Sequence, residues 1–424
     1  MAADFQSVPF EPTEARATLN QLPEKSAIFA LYGEAANAEP YIGRTPNLRG
    51  RLERLLLPSP KHPRRLQLAG RVRRIAWRLS GSDFESLLAQ FSLLEQVYGV
   101  KALERMHLGA PSFVRFLGGN PYPRVTVTNR TSLREADWAY GPFASRAAAE
   151  RFAEEALKLF LLRRCTEDLN PNPSHPGCVY SEMKMCLAPC YQGCTDERYS
   201  EESSAVERFL ATRGESRLVQ LRTQRDEASA NLEFESAAAL HSQVQRADAV
   251  RALAPELVRP MSQLRAVILQ ASAQSDEVAV FLYDQGRLRG PAAFSTLGMR
   301  IQNEQSGSSS LYAQPMAIEP VPEASAAPEP SGAQSPEAPV RAPRGVLEAR
   351  LEAALAELMS PLDSPSAAVR QGHLSLLKRW YYRPEVRRPG EIFFSDAEGA
   401  WPIKSILRGV GRVAAKSLPV AAVS

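Results

Sequence analysis

Apolar and polar residues are spaced along the chain in a way that predicts short strands separated by amphipathic helices. Residues 27–32 form an apolar run that Gly33 ends, and a second short run ends at residues 41–43. Residues 71–79 alternate between apolar and polar positions, as in a half-buried strand. Leucines at helical spacing follow the second and third strands. The first 110 residues are therefore predicted to form a small α/β module with the order strand, strand, helix, strand, helix.

Two helix starts in this module can be read from capping residues. Thr45 followed by Pro46 predicts that threonine caps the first helix, because proline is tolerated at the first helical position. Ser82 and Glu85 have the spacing of a capping box at the start of the second helix.

The rest of the chain continues the pattern with longer helices and a second group of strands. Residues 301–345 are rich in proline, alanine, serine and glutamate and are too poor in apolar residues to pack. The fold class is therefore a multidomain α+β protein. The boundaries expected from the sequence are residues 1–110 for the α/β module, 111–205 for a connecting and cysteine region, 206–255 for a helical hairpin, 256–300 for a small β segment, 301–345 for a disordered linker, and 346–424 for a C-terminal helical region.

Composition and charge narrow the class of protein. The chain has 424 residues, 44% of them hydrophobic and 23% charged, which is ordinary for soluble globular protein. The net charge is only +4, but arginines cluster in the first 130 residues. Such clustering is typical of a phosphate-binding surface, and a solvated basic face remains the alternative. Because no apolar run is long enough to span a bilayer, we expect a cytoplasmic protein without membrane contact.

All five cysteines fall between Cys165 and Cys194. The first four are spaced C-x12-C-x7-C-x3-C, and Cys194 follows after three more residues. Four thiolates at such spacing can hold a tetrahedral zinc ion or an iron–sulfur cluster, and the spacing does not choose between them. Disulfides or inert thiols are the alternatives. Disulfides are disfavoured because no secretory signal opens the chain.

A family resemblance is found in the residues that surround these cysteines. Tyr140-Gly-Pro-Phe143, Leu161-Leu-Arg-Arg-Cys165 and Cys186-Leu-Ala-Pro-Cys190 resemble the middle of the UvrC family, the incision subunit of the bacterial UvrABC excinuclease. The resemblance implies a [4Fe–4S] cluster, with zinc as the alternative. It leaves Cys194 as a spare and places the ligands at Cys165, Cys178, Cys186 and Cys190.

The N-terminal module resembles the GIY-YIG nuclease that begins UvrC, through Tyr41-Ile-Gly43 and Asn47-Leu-Arg49. The resemblance implies a divalent metal, Mg²⁺ or Mn²⁺, on one glutamate, if the nuclease is active. A metal would neutralise phosphoryl charge, and an arginine fork would hold the phosphate. Carried over by position, Tyr41 and Arg51 keep catalytic roles, and the DNA-binding residues are Asn47, Arg49 and Arg54.

Departures from the nuclease pattern favour loss of catalysis. Phe29 stands where the family has its first tyrosine, and Arg44 replaces a lysine. Gln90 replaces the metal-binding glutamate, and an amide is a poorer magnesium ligand than a carboxylate. Glu85 and Glu95 are the nearby acidic residues, with helix capping and a solvated surface as their simpler interpretations. Incision and a catalytically inactive, DNA-binding paralogue therefore both remain hypotheses, beside a redox-responsive DNA-binding scaffold.

Residues 216–253 resemble the UVR motif, the helical hairpin through which UvrC binds UvrB. The resemblance implies partner contacts through Leu232, Phe234, Glu235 and Ala238, although His241 and Ser242 depart from the family pattern. A two-helix hairpin buries little by itself, so its apolar face favours a partner. The alternative is a coiled-coil spacer. The resemblance covers roughly residues 20–300. We expect no counterpart of the family's RNase H-like nuclease or helix-hairpin-helix motifs.

Overall fold

A computed structural model describes residues 5–35, 38–58, 68–130, 132–299, 342–361 and 363–417. The linker predicted at 301–345 lies outside the described residues as far as residue 341. Within the described part, no helix is long and apolar enough to cross a membrane. The model is mixed α and β, as the periodicity predicted.

The N-terminal module (residues 5–110) is a four-stranded antiparallel sheet with three main helices. The strand order is β1-β4-β2-β3. The helix that begins at Leu48 is capped by Asn47 and not by the predicted Thr45, since the Asn47 side chain accepts a hydrogen bond from the Gly50 N–H. The elements are β1 (Gln6–Pro9), α1 (Ala15–Asn20), β2 (Ala27–Tyr32), β3 (Tyr41–Thr45), α2 (Leu48–Leu56), β4 (Arg74–Leu79), α3 (Asp83–Tyr98) and the short α4 (Ala102–Arg105).

The middle region has its own antiparallel sheet, in the order β6-β5-β7-β8. A core of buried aromatic and aliphatic side chains joins this sheet to the helices around it. The elements are β5 (Ser112–Phe116), β6 (Val125–Thr128), β7 (Ala139–Phe143), α5 (Arg146–Leu157), α6 (Val179–Glu182), α7 (Asp196–Ala211) and β8 (Arg259–Pro260). The cysteines lie in the irregular segment between α5 and α7.

Two helices then form a hairpin in the range predicted for one. Helix α8 (Glu215–Ala230) and helix α9 (Phe234–Ala252) are joined by residues 231–233. A connection this short forces the helices to run antiparallel. Few of their residues are buried: only Leu218, Leu221 and Ala228 on α8, and Val244, Ala247 and Val250 on α9.

The C-terminal unit (described residues of 264–295 and 344–417) combines a meander of strands with three helices and a later strand. Strands β9 (Ala266–Ala271), β10 (Glu277–Asp284) and β11 (Arg287–Ser295) form a meander, and β12 (Glu391–Phe394) pairs antiparallel with β9. Residues 346–424 were predicted to be a C-terminal helical region; within the described part of that range, Glu391–Phe394 adds a strand to the sheet. The helices are α10 (Arg344–Leu358), α11 (Ala367–Tyr381) and α12 (Ile403–Ser417).

Helix α3 is shared between the N-terminal module and the C-terminal unit. Its apolar side chains belong to one core with residues of β9, β10 and α11. The Phe84 ring meets the Phe281 ring edge-on, with centroids 5.2 Å apart. A Cβ at Gly372 would lie 2.1 Å from Phe91, so glycine permits close approach of α11. The helix that carries the candidate metal position is therefore covered by the C-terminal unit.

Candidate functional site

Tyr41 and Arg51 are brought together by β3 and α2. The Arg51 Nη2 atom donates a long hydrogen bond of 3.5 Å to the Tyr41 hydroxyl. Both side chains are only partly buried, so they can meet a substrate. Of the residues predicted for the nuclease site, Arg51 and Tyr41 have functional groups that lie next to each other.

Phe29 contributes to the core of the N-terminal module. Its side chain is fully buried, and it lies directly opposite Gly43 in the β2–β3 register. A Cβ on Gly43 would lie 2.8 Å from Phe29 Cζ, the ring carbon that bears the hydroxyl in tyrosine. The Phe29 ring therefore occupies the space beneath Gly43 and packs 6.1 Å from the Tyr41 ring, centroid to centroid. It supplies packing without a proton donor.

The three residues assigned to DNA binding have partners within the fold. Asn47 caps α2 by accepting the Gly50 N–H at 2.8 Å. Arg49 donates to the Leu22 carbonyl at 2.8 Å and to Glu24 at 2.7 Å. Arg54 is more exposed, and its Nε atom donates to the Gly50 carbonyl on its own helix at 2.9 Å. Of the three, Arg54 keeps the most freedom to contact phosphate.

Arg44 is paired with an aspartate that sequence reasoning missed. It binds Asp83 at the start of α3, and the other Asp83 oxygen accepts from Arg383 at 2.8 Å. Burial raises the pKa of Asp83, but the bonds from Arg383 and Arg44 lower it more, so the net pKa lies below its ordinary value. The local sequence marks Asp83 only as an acidic first-turn residue. Its bridging role depends on a contact between residues 300 positions apart.

Gln90 lies on the face of α3 that is turned toward β3. Asp83, seven residues earlier on this face, binds Arg44 near the end of β3. Tyr98, eight residues later, donates its hydroxyl to the Pro40 carbonyl just before β3, at 3.3 Å. Helical spacing therefore puts Gln90 between these two anchors along α3, where it is half-buried. This is the position that the resemblance assigned to the metal ligand.

The nearby glutamates differ in their surroundings. Glu85 is buried, and its carboxylate accepts the Gly81 N–H at 2.9 Å and lies 4.0 Å from Arg78. Burial raises the pKa of Glu85. Ser82 accepts the Glu85 N–H, as the capping box predicted, while the return bond reaches Gly81 rather than Ser82. Glu85 is thus used to start α3. Glu95 is half-buried on the same helix.

The cysteine segment (residues 165–194) places three other thiols near Cys186. Burial raises the pKa of Cys186 to about 11, and the neighbouring thiols of Cys165, Cys178 and Cys190 add to the rise. The Ala188 N–H donates to the Cys186 sulfur at 3.3 Å. Burial raises the pKa of the Cys194 thiol, and the nearby Asp196 carboxylate raises it further.

These thiols suit a metal because of their chemistry. Their positions in the structure do not form a complete coordination shell among the described residues. Across the described ranges, no three His, Cys, Asp or Glu side chains converge tightly enough to hold a metal ion. The donor set itself, four soft thiolate ligands with a backbone N–H on one sulfur, suits an iron–sulfur cluster or zinc.

A buried arginine lies against this segment and was not predicted from the sequence. Arg163 is only 2% exposed, and its guanidinium donates to the carbonyls of Tyr122 and Glu167. Its Nη1 atom also approaches the Cys165 sulfur at 3.5 Å. A buried cation is costly unless an anion compensates it. A basic residue two positions before a cysteine was the available sequence signal.

The tip of the helical hairpin (residues 231–234) exposes two large apolar side chains. Leu232 is 72% exposed and Phe234 is 67% exposed. Leu232 also has a φ of 61°, a left-handed conformation that costs a non-glycine residue about 1–2 kcal/mol. Glu235 and Ala238 are exposed on the first turns of α9. Leu232 gains neither burial nor relaxed backbone geometry from the fold.

Comparison with known proteins places this geometry in a family context. Residues 114–209 match the family model described as UvrC/Cho excinuclease, middle domain. The chain is 30% identical over 214 residues to UvrABC system protein C of Alcanivorax borkumensis, covering 50% of this chain and 34% of that protein. The protein of the same name from Ruminiclostridium cellulolyticum is 27% identical over 232 residues, covering 53% and 37%.

The Escherichia coli O1:K1 protein of that name is 27% identical over 236 residues, covering 55% of this chain and 38% of the relative. The matched part thus spans little more than a third of these curated relatives. No solved structure matches the chain. The chain is therefore similar to UvrABC system protein C over about half of its length, and its residues 114–209 match the UvrC/Cho middle domain.

Proposed function

We propose that the chain acts in nucleotide-excision repair as a UvrC-like subunit that binds DNA and UvrB, and that its N-terminal module does not cut DNA. The observation that carries the repair role is the match to the UvrC/Cho middle domain together with the similarity to UvrABC system protein C. In this proposal the chain occupies the place of an incision subunit within a damage-bound complex and holds it together by contacts.

Loss of catalysis is supported by what stands at the metal position. Gln90 offers a neutral amide oxygen where a hard divalent cation needs a carboxylate. Glu85, a possible substitute, is held by the Gly81 N–H and by Arg78. Arg44, which replaces the lysine, is paired with Asp83 and cannot act as a base at neutral pH. Each change weakens metal-assisted phosphodiester hydrolysis in the same direction.

Incision by the N-terminal module is the second candidate function, and one contact favours it. The Arg51 guanidinium and the Tyr41 hydroxyl remain adjacent. An arginine in this position can still hold a phosphate through two hydrogen bonds. If Glu95 or a substrate group completed the coordination of Mg²⁺ or Mn²⁺, this pair would position the phosphodiester bond.

DNA binding is assigned to exposed arginines of the N-terminal module. Arg54, Arg71 and Arg74 are exposed, and they lie in the arginine-rich first 130 residues. Contacts of this kind neutralise phosphates and release counterions, so the affinity falls steeply as salt rises. They need no catalytic metal, which makes DNA binding separable from incision.

An iron–sulfur cluster on Cys165, Cys178, Cys186 and Cys190 is the cofactor we propose, with zinc as the alternative. The thiolates would hold the metal, and the bound group would crosslink the irregular segment between α5 and α7. Arg163 supports a site that carries net negative charge, because its buried guanidinium already points toward the Cys165 sulfur. Cys194 has no assigned role as a ligand.

The exposed hairpin tip is the surface that we assign to UvrB. Leu232 and Phe234 present an apolar patch at the end of α8 and α9, with Glu235 and Ala238 beside it. A complementary helical hairpin would bury these side chains, and apolar burial is the main driving force for such association.

A nicking assay tests the proposal. Damaged duplex DNA is incubated with UvrA, UvrB and Mg²⁺ or Mn²⁺, with wild type beside Arg51→Ala and Gln90→Glu. We expect stable recruitment to the complex without nicking by wild type, and metal-dependent nicking to appear in Gln90→Glu. Wild-type nicking that is lost in Arg51→Ala would establish the second candidate. Failure of wild type to join the DNA–UvrB complex would contradict the repair role itself.

A further inference from the structure

A cavity of about 460 Å³ lies where the middle region, the C-terminal sheet and the start of α11 meet. Its walls come from β5, the loop after β6, the β10–β11 turn and the N-terminus of α11. Apolar side chains, including Phe113, Met261 and Leu374, form part of the lining. Volumes of 300–1,000 Å³ are typical of small-molecule sites. We call this space the junction cavity.

The junction cavity is electrostatically positive. Arg130 and Arg370 line it, and the described lining contains no carboxylate. The lining also includes Ala367, the first residue of the fifteen-residue helix α11, whose N-terminus favours an anion. Arg370 is held in place, since its Nη1 atom donates to the Pro365 carbonyl at 2.6 Å and its stem lies on Gly286.

Tyr283 supplies an independent observation. It lines the cavity and is only 1% exposed, yet among the residues that the structure describes its hydroxyl has no hydrogen-bond partner. Leaving a buried hydroxyl unsatisfied is costly, so such a group calls for a ligand or another explanation. Amide and hydroxyl side chains of Asn129, Gln371 and Ser262 lie in the same lining. They add hydrogen-bonding capacity around an otherwise apolar space.

We propose that the junction cavity binds a nucleoside-monophosphate unit. The phosphate would lie between Arg370, Arg130 and the N-terminus of α11, where two cations and the helix dipole act together. The heterocyclic body would lie against the apolar lining and accept a hydrogen bond from the Tyr283 hydroxyl. The size of the cavity and the two arginines in its described lining fit this ligand class. The site is separate from the Tyr41–Arg51 pair and does not depend on the proposed repair function.

The test measures binding of dTMP, thymidine and inorganic phosphate to the whole chain by calorimetry. We expect dTMP to bind at least tenfold more tightly than either fragment. Tyr283→Phe removes only a hydroxyl without a partner, so its unfolding temperature should stay level or rise while dTMP affinity falls about fivefold. Arg370→Gln should weaken dTMP about tenfold or more. Arg379→Gln, the same change at an exposed position of the same helix, should leave the affinity within twofold.

Three results would overturn the proposal. They are absence of dTMP binding at millimolar concentration, equal binding of dTMP and inorganic phosphate, and equal effects of Arg370→Gln and Arg379→Gln. A 5′-phosphorylated oligothymidylate distinguishes the source of the ligand. If Arg370→Gln weakens the oligonucleotide as it weakens dTMP, the site holds the end of a strand. If only dTMP is affected, it holds a free nucleotide.

Discussion

The N-terminal module and the cysteine segment carry the two most specific motifs of the chain, and the fold uses their side chains differently. In the module, Asn47 caps a helix, Arg49 binds a carbonyl and Glu24, and Phe29 fills the core. In the cysteine segment, four thiols gather without closing on a metal among the described residues, and buried Arg163 faces a sulfur.

The difference separates two kinds of motif residue. Those of the module contribute to the stability of the fold, whereas the thiols of the cysteine segment have no comparable structural role among the described contacts. A side chain whose hydrogen bonding or packing is complete within the fold contributes to stability without a ligand. Thiols are weak hydrogen-bonding groups, so the clustered thiols gain little from one another without a bound group, whereas Arg163 beside them is held by the Tyr122 and Glu167 carbonyls. By this reasoning we expect the module to act as a scaffold, and we place the proposed metal site in the cysteine segment.

The largest effect is expected at Cys186. Replacing Cys186 with Ser should abolish metal binding, because Cys186 lies among the other three thiols and a hydroxyl is a poor ligand for iron or zinc. Metal analysis of purified chain, grown with iron or with zinc, measures the content directly. Cys194→Ser is the matched control and should keep the full content. Equal retention by both variants would remove the distinction between the two regions.

Asp83 offers a test of the opposite region. Asp83→Asn should weaken the links to Arg44 and Arg383 and lower the free energy of unfolding by about 1 kcal/mol, a figure reduced for a carboxylate that is 39% exposed. Its lowered pKa means that this stabilisation is present above the ordinary value of 3.8 and is lost as pH falls through the folded value. Urea unfolding of both proteins should therefore converge in acid.

Asp226→Asn is the control for that experiment, because Asp226 is 67% exposed and pairs with its neighbour Arg225. Its cost should stay within about 0.5 kcal/mol. If Asp83→Asn costs no more than Asp226→Asn, the bridge contributes nothing to joining the module to the C-terminal unit. Arg44 would then be available for other contacts, and the comparison between the regions would weaken.

Sequence reasoning reached local features and missed those that join distant residues. Periodicity located β2, β4 and α3 because their burial pattern repeats within a few residues. The cap at Asn47 was missed because Thr45 and Asn47 both carry a capping oxygen, and only the backbone decides between them. The partner of Asp83 at Arg383 was invisible, because no local pattern encodes it.

The C-terminal unit shows the same limit in its sheet. The run of residues 391–394 is too short to predict a strand from the sequence. Its partner strand β9 lies more than a hundred residues earlier in the chain. At the candidate site, the identities of Gln90 and Phe29 were readable from the resemblance. Their surroundings, with α3 covered by the C-terminal unit, required the folded chain.

The last effect is expected at the hairpin tip, where one substitution should raise the stability of the chain and lower its affinity for the proposed partner. Leu232 is exposed and left-handed, so Leu232→Gly should relieve backbone strain and raise the free energy of unfolding by up to about 1 kcal/mol. The same change should reduce UvrB affinity about tenfold, because it removes an apolar side chain from the proposed contact. Urea unfolding and a pull-down titration measure the two quantities on one preparation.

Val219→Ala is the control, because Val219 is an exposed apolar residue on α8 away from the tip. It should change neither the stability nor the affinity by much. A variant that gained stability and kept its affinity would mean that the exposed leucine serves no partner, and that unsatisfied groups in this chain are a weaker guide to function than the cysteine segment suggests.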